Sequence, residues 1–378
     1  MGKKSNKTIE GPQSYKNWIA YIKGENLINA FEFPLFSDAR ITGKNTKNFK
    51  PYYFLNPVPQ ECNPGFIQPA IYLRMENYLK PDSPDMSHTN SEHYHGGSLI
   101  DEIAALTSLA LGIRIKAGSI SRYFDGEPHG HPVEWMSKPK PVVLMDNRKI
   151  IIPTLLGKHS LNGLNLLSKF PKFSPQDAII LVRVSRLYQD ALWIAESDPS
   201  LAWLMIVSAV EGAAYHWKQS EDSPLDRLKI SKPDLVKLLD DTGIQDLSTK
   251  VANHIADSIG CTKKFIDFII NFLPPPPQNR PEKWGQFTWE EGEMKKAMNL
   301  IYGYRSKALH VGIPFPAPMC ISPCFKESNK KMYLEKPMGS ASSTLGGTWK
   351  SKDTPMLLST FEYIARKSLL KWWDSLGK

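Results

Sequence analysis

Between Ser174 and Gly312 the hydrophobic positions recur at helical spacing, and polar or proline-bearing breaks divide them into successive segments. Ser174-Pro175-Gln176-Asp177 supplies a cap, a first-turn proline and an acid three residues after the cap, which predicts a helix from there to about Ser197. Its apolar stripe reads Ile180, Val184, Leu187, Ala191 and Ile194. Asp198-Pro199 opens a second helix, from Ser200 to about Lys218, too apolar for a surface position. Ser231-Lys232-Pro233-Asp234 caps a third, carrying Leu235, Leu238 and Leu239, and further helical segments fall near Leu247–Ile259 and Lys263–Phe272. The tetraproline Pro274–Pro277 enforces an extended connector. Thr288 is the expected cap of a long helix, with Glu290, Glu291 and Glu293 suited to its positive end. That helix runs through Met294, Met298, Ile301 and Tyr304 to His310, then stops at Gly312 and Pro314.

The pattern before Ser174 is different. Residues 1 to about 15 read as a polar, lysine-rich arm, and Tyr15 to about Asn90 is rich in Pro, Asn and aromatics, which favours short strands and long connections. The polar segment 80–97, with His88, His93 and His95, reads as an exposed loop. Leu99–Leu111 has helical spacing, Ile113–Ala117 alternates like a strand, and Val142–Met145 and Ile150–Ile152 flank Asp146-Asn147-Arg148 as a hairpin would. After Pro314 come prolines, cysteines, a Gly/Ser-rich stretch from Gly339 to Gly347, and an amphipathic helix from about Met356 to Trp373. The expected fold is an α+β N-terminal domain over 1–168, an all-α bundle over 169–315, and a segment over 316–378 whose C-terminal helix packs on the bundle.

Composition narrows the function classes. The chain of 378 residues is 41% hydrophobic and 22% charged, ordinary material for a large core, and its 40 aromatics oppose general disorder. Four scattered cysteines do not make a disulfide scaffold. The first residues carry charge without an apolar run behind them, Asn6 occupies the position where myristoylation needs Ser or Thr, and the apolar run 201–214 is short and holds Glu211. A soluble, cytoplasmic protein without a membrane partner is expected. The net charge of +9 is unevenly placed: residues 1–55 carry nine basic and four acidic side chains, and residues 326–378 carry ten and five. The middle is close to neutral, so any long-range attraction for phosphates belongs to the two ends.

The candidate chemistry lies at the end of the long helix, Tyr302-Gly303-Tyr304-Arg305-Ser306-Lys307-Ala308-Leu309-His310-Val311-Gly312. An Arg and a His separated by four intervening residues, just before a helix terminates, resemble the R-x(4–6)-H motif of the HEPN superfamily. Upstream, the apolar helix ending in Ser208-Ala209-Val210-Glu211 resembles the Ser-Ala-x-Glu element of the ApeA-like branch. The segment 99–118 is similar to the accessory region that often precedes such domains. The resemblance covers about 174–312. It implies a HEPN-type bundle acting as a metal-independent endoribonuclease on RNA, with a homodimer bringing two motifs into one cleft, in a prokaryotic stress or phage-defence setting. No cofactor and no metal is implied.

The residues carry a physical rationale of their own. A His at a helix C-terminus is stabilised as a cation by the free carbonyls, and its proton can move near neutral pH. Arg offers a planar fork that holds a phosphate and stays charged. His310 and Arg305 lie about 140° apart around an ideal helix, so one copy does not set both on one phosphate. The resemblance assigns His310 to proton transfer or orientation and Arg305 to stabilising the phosphorane. The plain alternative makes Arg305 a surface ion pair and His310 a helix cap. Glu211 has two readings: it orients Arg305 or the imidazole, or it pairs with Arg183 or Arg186 on the preceding helix. Ser306 stands where many HEPN nucleases carry Asn, Asp or His, and matches the ApeA-like branch better. Tyr304, Ser306 and Lys307 are the expected substrate contacts, while Tyr302 and Tyr304 also fit core or interface positions.

Weaker candidates remain. Cys320 and Cys324 form a single CxxxC, and the pairs His93/His95 and His129/His131 sit in separate loops, short of a zinc framework. Phosphate-loop, dinucleotide and nucleophile-elbow motifs are absent from the sequence. Lys16, Lys23, Lys44, Lys47 and Lys50 interleave with Tyr15, Trp18, Tyr21, Phe49 and Tyr52, a pattern that suits single-stranded nucleic acid or, equally, a solvated face over an aromatic core.

Overall fold

The computed structural model describes residues 10–377, except 44–48, 56, 59–62, 81–86, 88, 90, 92–93, 134–137, 146–149, 218–222, 256–259, 328–329 and 345. The first element is a helix, α1 (Gln13–Ile22), where short strands are expected from the sequence. Its Tyr15 and Trp18 are buried, and its first amides are held by a carboxylate from elsewhere: Gln13 and Ser14 N–H donate to Glu102 at 3.0 and 2.6 Å. Such end-capping by a distant residue leaves no local signal.

Strands β1 (Asn29–Ser37), β2 (Arg40–Thr42), β3 (Tyr52–Phe54) and β4 (Gln68–Asn77) follow. Then come α2 (Leu99–Leu111), β5 (Lys116–Ala117), β6 (Arg122–Phe124), β7 (His131–Pro132) and β8 (Lys158–Ser160). β1 is the spine of a six-stranded sheet ordered β3-β4-β1-β6-β7, with β5 also paired to β1. Its long partner is β4, antiparallel from Asn29 opposite Asn77 to Ser37 opposite Gln68 with an irregularity at Leu35/Phe36. β2 and β8 form a separate parallel pair. The helix expected at 99–111 is present with a Ser98/Asp101 capping box and Gly112 at φ 68°, the left-handed stop that glycine accepts most easily. Val142–Met145 and Ile150–Ile152, the expected arms of a hairpin, are not strands, and Val142 and Leu144 are exposed; the turn between the arms lies outside the described residues. An apolar run alone does not make a strand; pairing and packing against neighbours do.

The second half is mostly helical. α3 (Pro175–Ile194) begins at the Ser174/Asp177 capping box, followed by α4 (Pro199–Trp217), α5 (Pro224–Ser231), α6 (Pro233–Asp240), α7 (Leu247–His254) and α8 (Cys261–Asn271). The connector holding Pro274–Pro277 leads to α9 (Glu291–Val311). Two caps differ from expectation: Ser231 ends α5 while Lys232 precedes α6, and Glu290 rather than Thr288 precedes α9. The segment between α9 and the last helix holds two hairpins, β9 (Cys324–Glu327) with β10 (Lys330–Tyr333) and, at the Gly/Ser-rich stretch, β11 (Ala341–Thr344) with β12 (Gly347–Lys350). The chain closes with α10 (Leu358–Ser375).

α3 packs against both α2 and α4, so its buried surface is wider than one stripe. Leu181, Val182, Tyr188 and Leu192 are fully buried, while Ile180, Leu187 and Ile194 of the expected stripe are only partly covered. The core runs continuously from α1 through the sheet and α2 into α3, α4, α8, α9 and α10. At its heart Trp203 of α4 is stacked between Phe315 and Phe361, with ring centroids 5.2 and 4.7 Å away. The aromatic half of the Lys/aromatic pattern near the N-terminus is core: Tyr15, Trp18, Phe49 and Tyr52 are buried. Lys44 and Lys47 of that pattern lie outside the described residues. Among the described residues no helix is long and apolar enough to cross a membrane.

Candidate functional site

α4 and α9 position the candidate residues. α4 is nailed into the core by Trp203, Ile206, Val207 and Val210, which leaves Glu211 half-buried on the side that meets α9. The chain after α9 is anchored to the beginning of α4: Phe315 stacks on Trp203, and its N–H donates to the Ser200 hydroxyl at 3.0 Å. Gly312, at φ 73°, reverses the backbone between the last helical turn and that anchor.

Arg305, one of the two motif residues, turns toward α4. A terminal nitrogen of its guanidinium donates to Glu211 Oε2, and its Cζ lies 5.5 Å from the centroid of the Tyr302 ring. The Tyr302 hydroxyl donates to the other oxygen, Glu211 Oε1, at 2.7 Å. Glu211 thus joins two residues one turn apart on α9, and 19% of the Arg305 side chain stays accessible. Arg305 Nε–H is buried and, among the described residues, has no hydrogen-bond partner. Burial, the hydrogen bond to Glu211 and its negative charge all push the Tyr302 hydroxyl above the usual tyrosine range, so it remains a donor at neutral pH.

This arrangement decides between the two readings of Glu211. Both carboxylate oxygens are engaged by α9, whereas Arg183 Nε–H and an Arg186 terminal nitrogen donate to the backbone carbonyls of Tyr94 and Gly96 at 3.1 and 3.0 Å. Tyr302 is the participant that sequence reasoning assigns only to stacking or core. Its signal was its position three residues before Arg305, which puts both on one helix face.

His310 is not brought to Arg305. It is exposed in the last turn, flanked by exposed Leu309, Val311 and Ile313. Leu201, at the nearby start of α4, is also exposed. The three expected substrate contacts fare differently. Tyr304 is packed, its ring 6.1 Å from Phe315 and its hydroxyl donating to the Asp353 carbonyl at 2.5 Å. Lys307 is exposed with its amine 5.9 Å from the Tyr304 ring, and Ser306 is half-buried.

The weaker candidates do not assemble. His95 pairs with the buried Glu102 at 2.5 Å, His129 and His131 are exposed, and His93 lies outside the described residues. Burial pushes the Cys320 thiol up to about 12, so without a metal it stays protonated at neutral pH. Among the described residues no three His, Cys, Asp or Glu side chains converge as metal ligands would. A second His–carboxylate pair, unsuspected from the sequence, joins His216 of α4 to Asp177 of α3 at 2.6 Å. Comparison with known proteins found no matching family model, no similar curated protein and no similar solved structure.

Proposed function

We propose that the helical region is a metal-independent endoribonuclease of HEPN type that works as a homodimer. The observation that carries this reading is the placement of Arg305 and His310 at the end of α9. Arg305 is oriented by Glu211 from the Ser-Ala-x-Glu helix, and His310 stands open to solvent one turn and a half beyond it. Glu211 and Tyr302 fix the guanidinium before any ligand arrives, which removes the entropy that a free arginine would lose on meeting a phosphate. The two motif groups diverge within one copy, so a complete site needs a second α9. The exposed Leu309, Val311 and Ile313 around His310 supply apolar surface suited to that contact.

In the proposed reaction the RNA 2′-oxygen attacks phosphorus and the bond to the 5′-oxygen breaks, leaving a cyclic phosphate and a 5′-hydroxyl. His310 moves the proton, and Arg305 stabilises the charge that grows on the phosphorane. The Arg305–Glu211 pair also favours a second reading, since it neutralises the arginine inside the protomer: a noncatalytic HEPN-type module that dimerises and binds RNA or a protein. The deciding experiment incubates wild type and His310→Ala with total cellular RNA and maps product ends. Cyclic-phosphate ends produced by the wild type and lost in the variant support the nuclease; equal products from both, or none from either, favour the noncatalytic module.

A further inference from the structure

A cavity of about 670 Å³ lies between the proline connector and α10, away from the Arg305 site. One wall is Pro275–Pro277; the opposite wall is the α10 face that presents Ser359, Tyr363 and Lys367, spaced by four residues and therefore in line. The walls are fixed to each other. The Tyr363 hydroxyl donates to the Pro275 carbonyl at 3.1 Å, the Lys371 amine donates to the Leu273 carbonyl at 2.6 Å, and Trp289 Nε1–H donates to the Pro274 carbonyl at 2.9 Å. The pocket is thus preformed and of a size that suits a small organic ligand.

Its charge is unbalanced. Glu335 reaches the pocket, but Arg280 binds it at 2.7 and 2.6 Å and the Phe287 N–H adds a third bond at 2.7 Å, so its charge is already answered. Lys367 makes no hydrogen bond or ion pair among the described residues. Its neighbours on α10 are committed elsewhere: Arg366 donates to the Leu109 and Ala110 carbonyls, and the buried Glu362 accepts the Tyr188 hydroxyl at 2.5 Å. Proline and tyrosine rings offer flat apolar contact, and the lone ammonium offers a place for an acid group.

We propose that this pocket binds a small planar anion, its ring against the prolines and tyrosines that line the cavity, its acid group on Lys367. Burial, together with adjacent Arg366, lowers the Lys367 pKa against the weaker pull of Glu362, and an arriving anion would relieve that cost. The pocket is independent of the nuclease reading, since none of its lining belongs to α4 or α9.

The test titrates the full chain with 8-anilinonaphthalene-1-sulfonate, an aromatic anion whose fluorescence reports binding. Saturable one-to-one binding is expected, weaker by about tenfold in Lys367→Gln, the worth of one charge-assisted contact. Ser359→Trp, which fills the pocket and keeps the lysine, should weaken it as strongly. Displacement by AMP but not adenosine assigns a nucleoside phosphate, and displacement by 2-naphthoate but not 2-naphthol assigns an aryl carboxylate; either supports the site. Unchanged affinity in both variants, or displacement by the neutral compounds as readily as by the anions, overturns it.

Discussion

Arg305 on α9 donates to Glu211 on α4, and the same carboxylate accepts the Tyr302 hydroxyl, so a single acid sets the position of the arginine in the candidate motif. Removing the acid leaves a largely buried guanidinium and a phenol without their acceptor. Glu211→Ala is therefore expected to destabilise the fold by about 1–3 kcal/mol, the cost of unsatisfied buried donors. Glu211→Gln keeps an oxygen for Tyr302 and should cost less. Urea denaturation measures both, and a Glu211→Ala variant as stable as wild type would show that the contact contributes nothing in solution.

His310 gives a cleaner separation of chemistry from folding. It is exposed, and among the described residues it makes no hydrogen bond or ion pair, so His310→Ala should leave stability within about 0.5 kcal/mol of wild type. The proposed proton-transfer role predicts a loss of RNA cleavage of about 10²-fold or more. Arg305→Lys should be almost as inactive as Arg305→Ala, because an ammonium lacks the planar fork that Glu211 and a phosphate would share. Cleavage assays beside thermal melts check all three variants. Activity within twofold of wild type in His310→Ala would remove the imidazole from the mechanism (about 0.4 kcal/mol of barrier).

The helices of this site were legible in the sequence where local chemistry fixed their ends, although the cap of α9, Glu290, lies two residues past the expected Thr288. The Ser174/Asp177 box, the proline at the start of α4 and Gly312 each act within a few residues, and each is where the pattern put it. Features set at a distance were missed or left open. α1 is capped by Glu102 across 88 residues of chain, and the partner of Glu211 is chosen by how α9 lies on α4. The buried face of α3 was misjudged for the same reason: two packed neighbours widen the apolar arc that a single stripe predicts.

The dimer proposal rests on the apolar surface around His310. Leu309 and Val311 are 51% and 67% exposed, so polar replacements there disturb no core. Leu309→Glu with Val311→Glu should shift a dimeric protein to monomer in sedimentation velocity and abolish cleavage while leaving the melting temperature in place. A wild type that sediments as a monomer at all accessible concentrations would contradict the composite site, since one α9 does not supply both groups to one phosphate.

Arg114 joins the two halves of the fold. It is fully buried between Asp38, at the end of β1, at 2.8 Å and Glu196, just past α3, at 3.1 Å. Asp38 also accepts Gly65 N–H, and Glu196 accepts Ile151 N–H at 2.7 Å. Arg114→Met strands two buried carboxylates and should cost roughly 3–5 kcal/mol. Arg114→Lys should rescue little, because one ammonium does not reproduce a fork spanning two acids. Equal stability of Arg114→Lys and wild type would mean that charge alone, without the fork, holds this junction.

The capping acids predict the acid limb of stability. Burial opposes ionisation of Asp177, but hydrogen bonds from His216 and Ser174 outweigh it and hold the carboxyl below its ordinary range. Burial likewise opposes ionisation of Asp101, and bonds from Lys138 and Ser98 prevail there too. Each folded carboxyl thus binds a proton less readily than its unfolded counterpart. The stabilisation is complete above the unfolded value of about 3.9 and is lost as pH falls through the folded value. Urea midpoints should therefore begin to fall near about pH 4, where the unfolded chain takes up protons that the folded one refuses. Asp177→Asn with Asp101→Asn should be less stable at neutral pH and show a shallower acid limb; a limb parallel to wild type would place the acid sensitivity in other carboxylates.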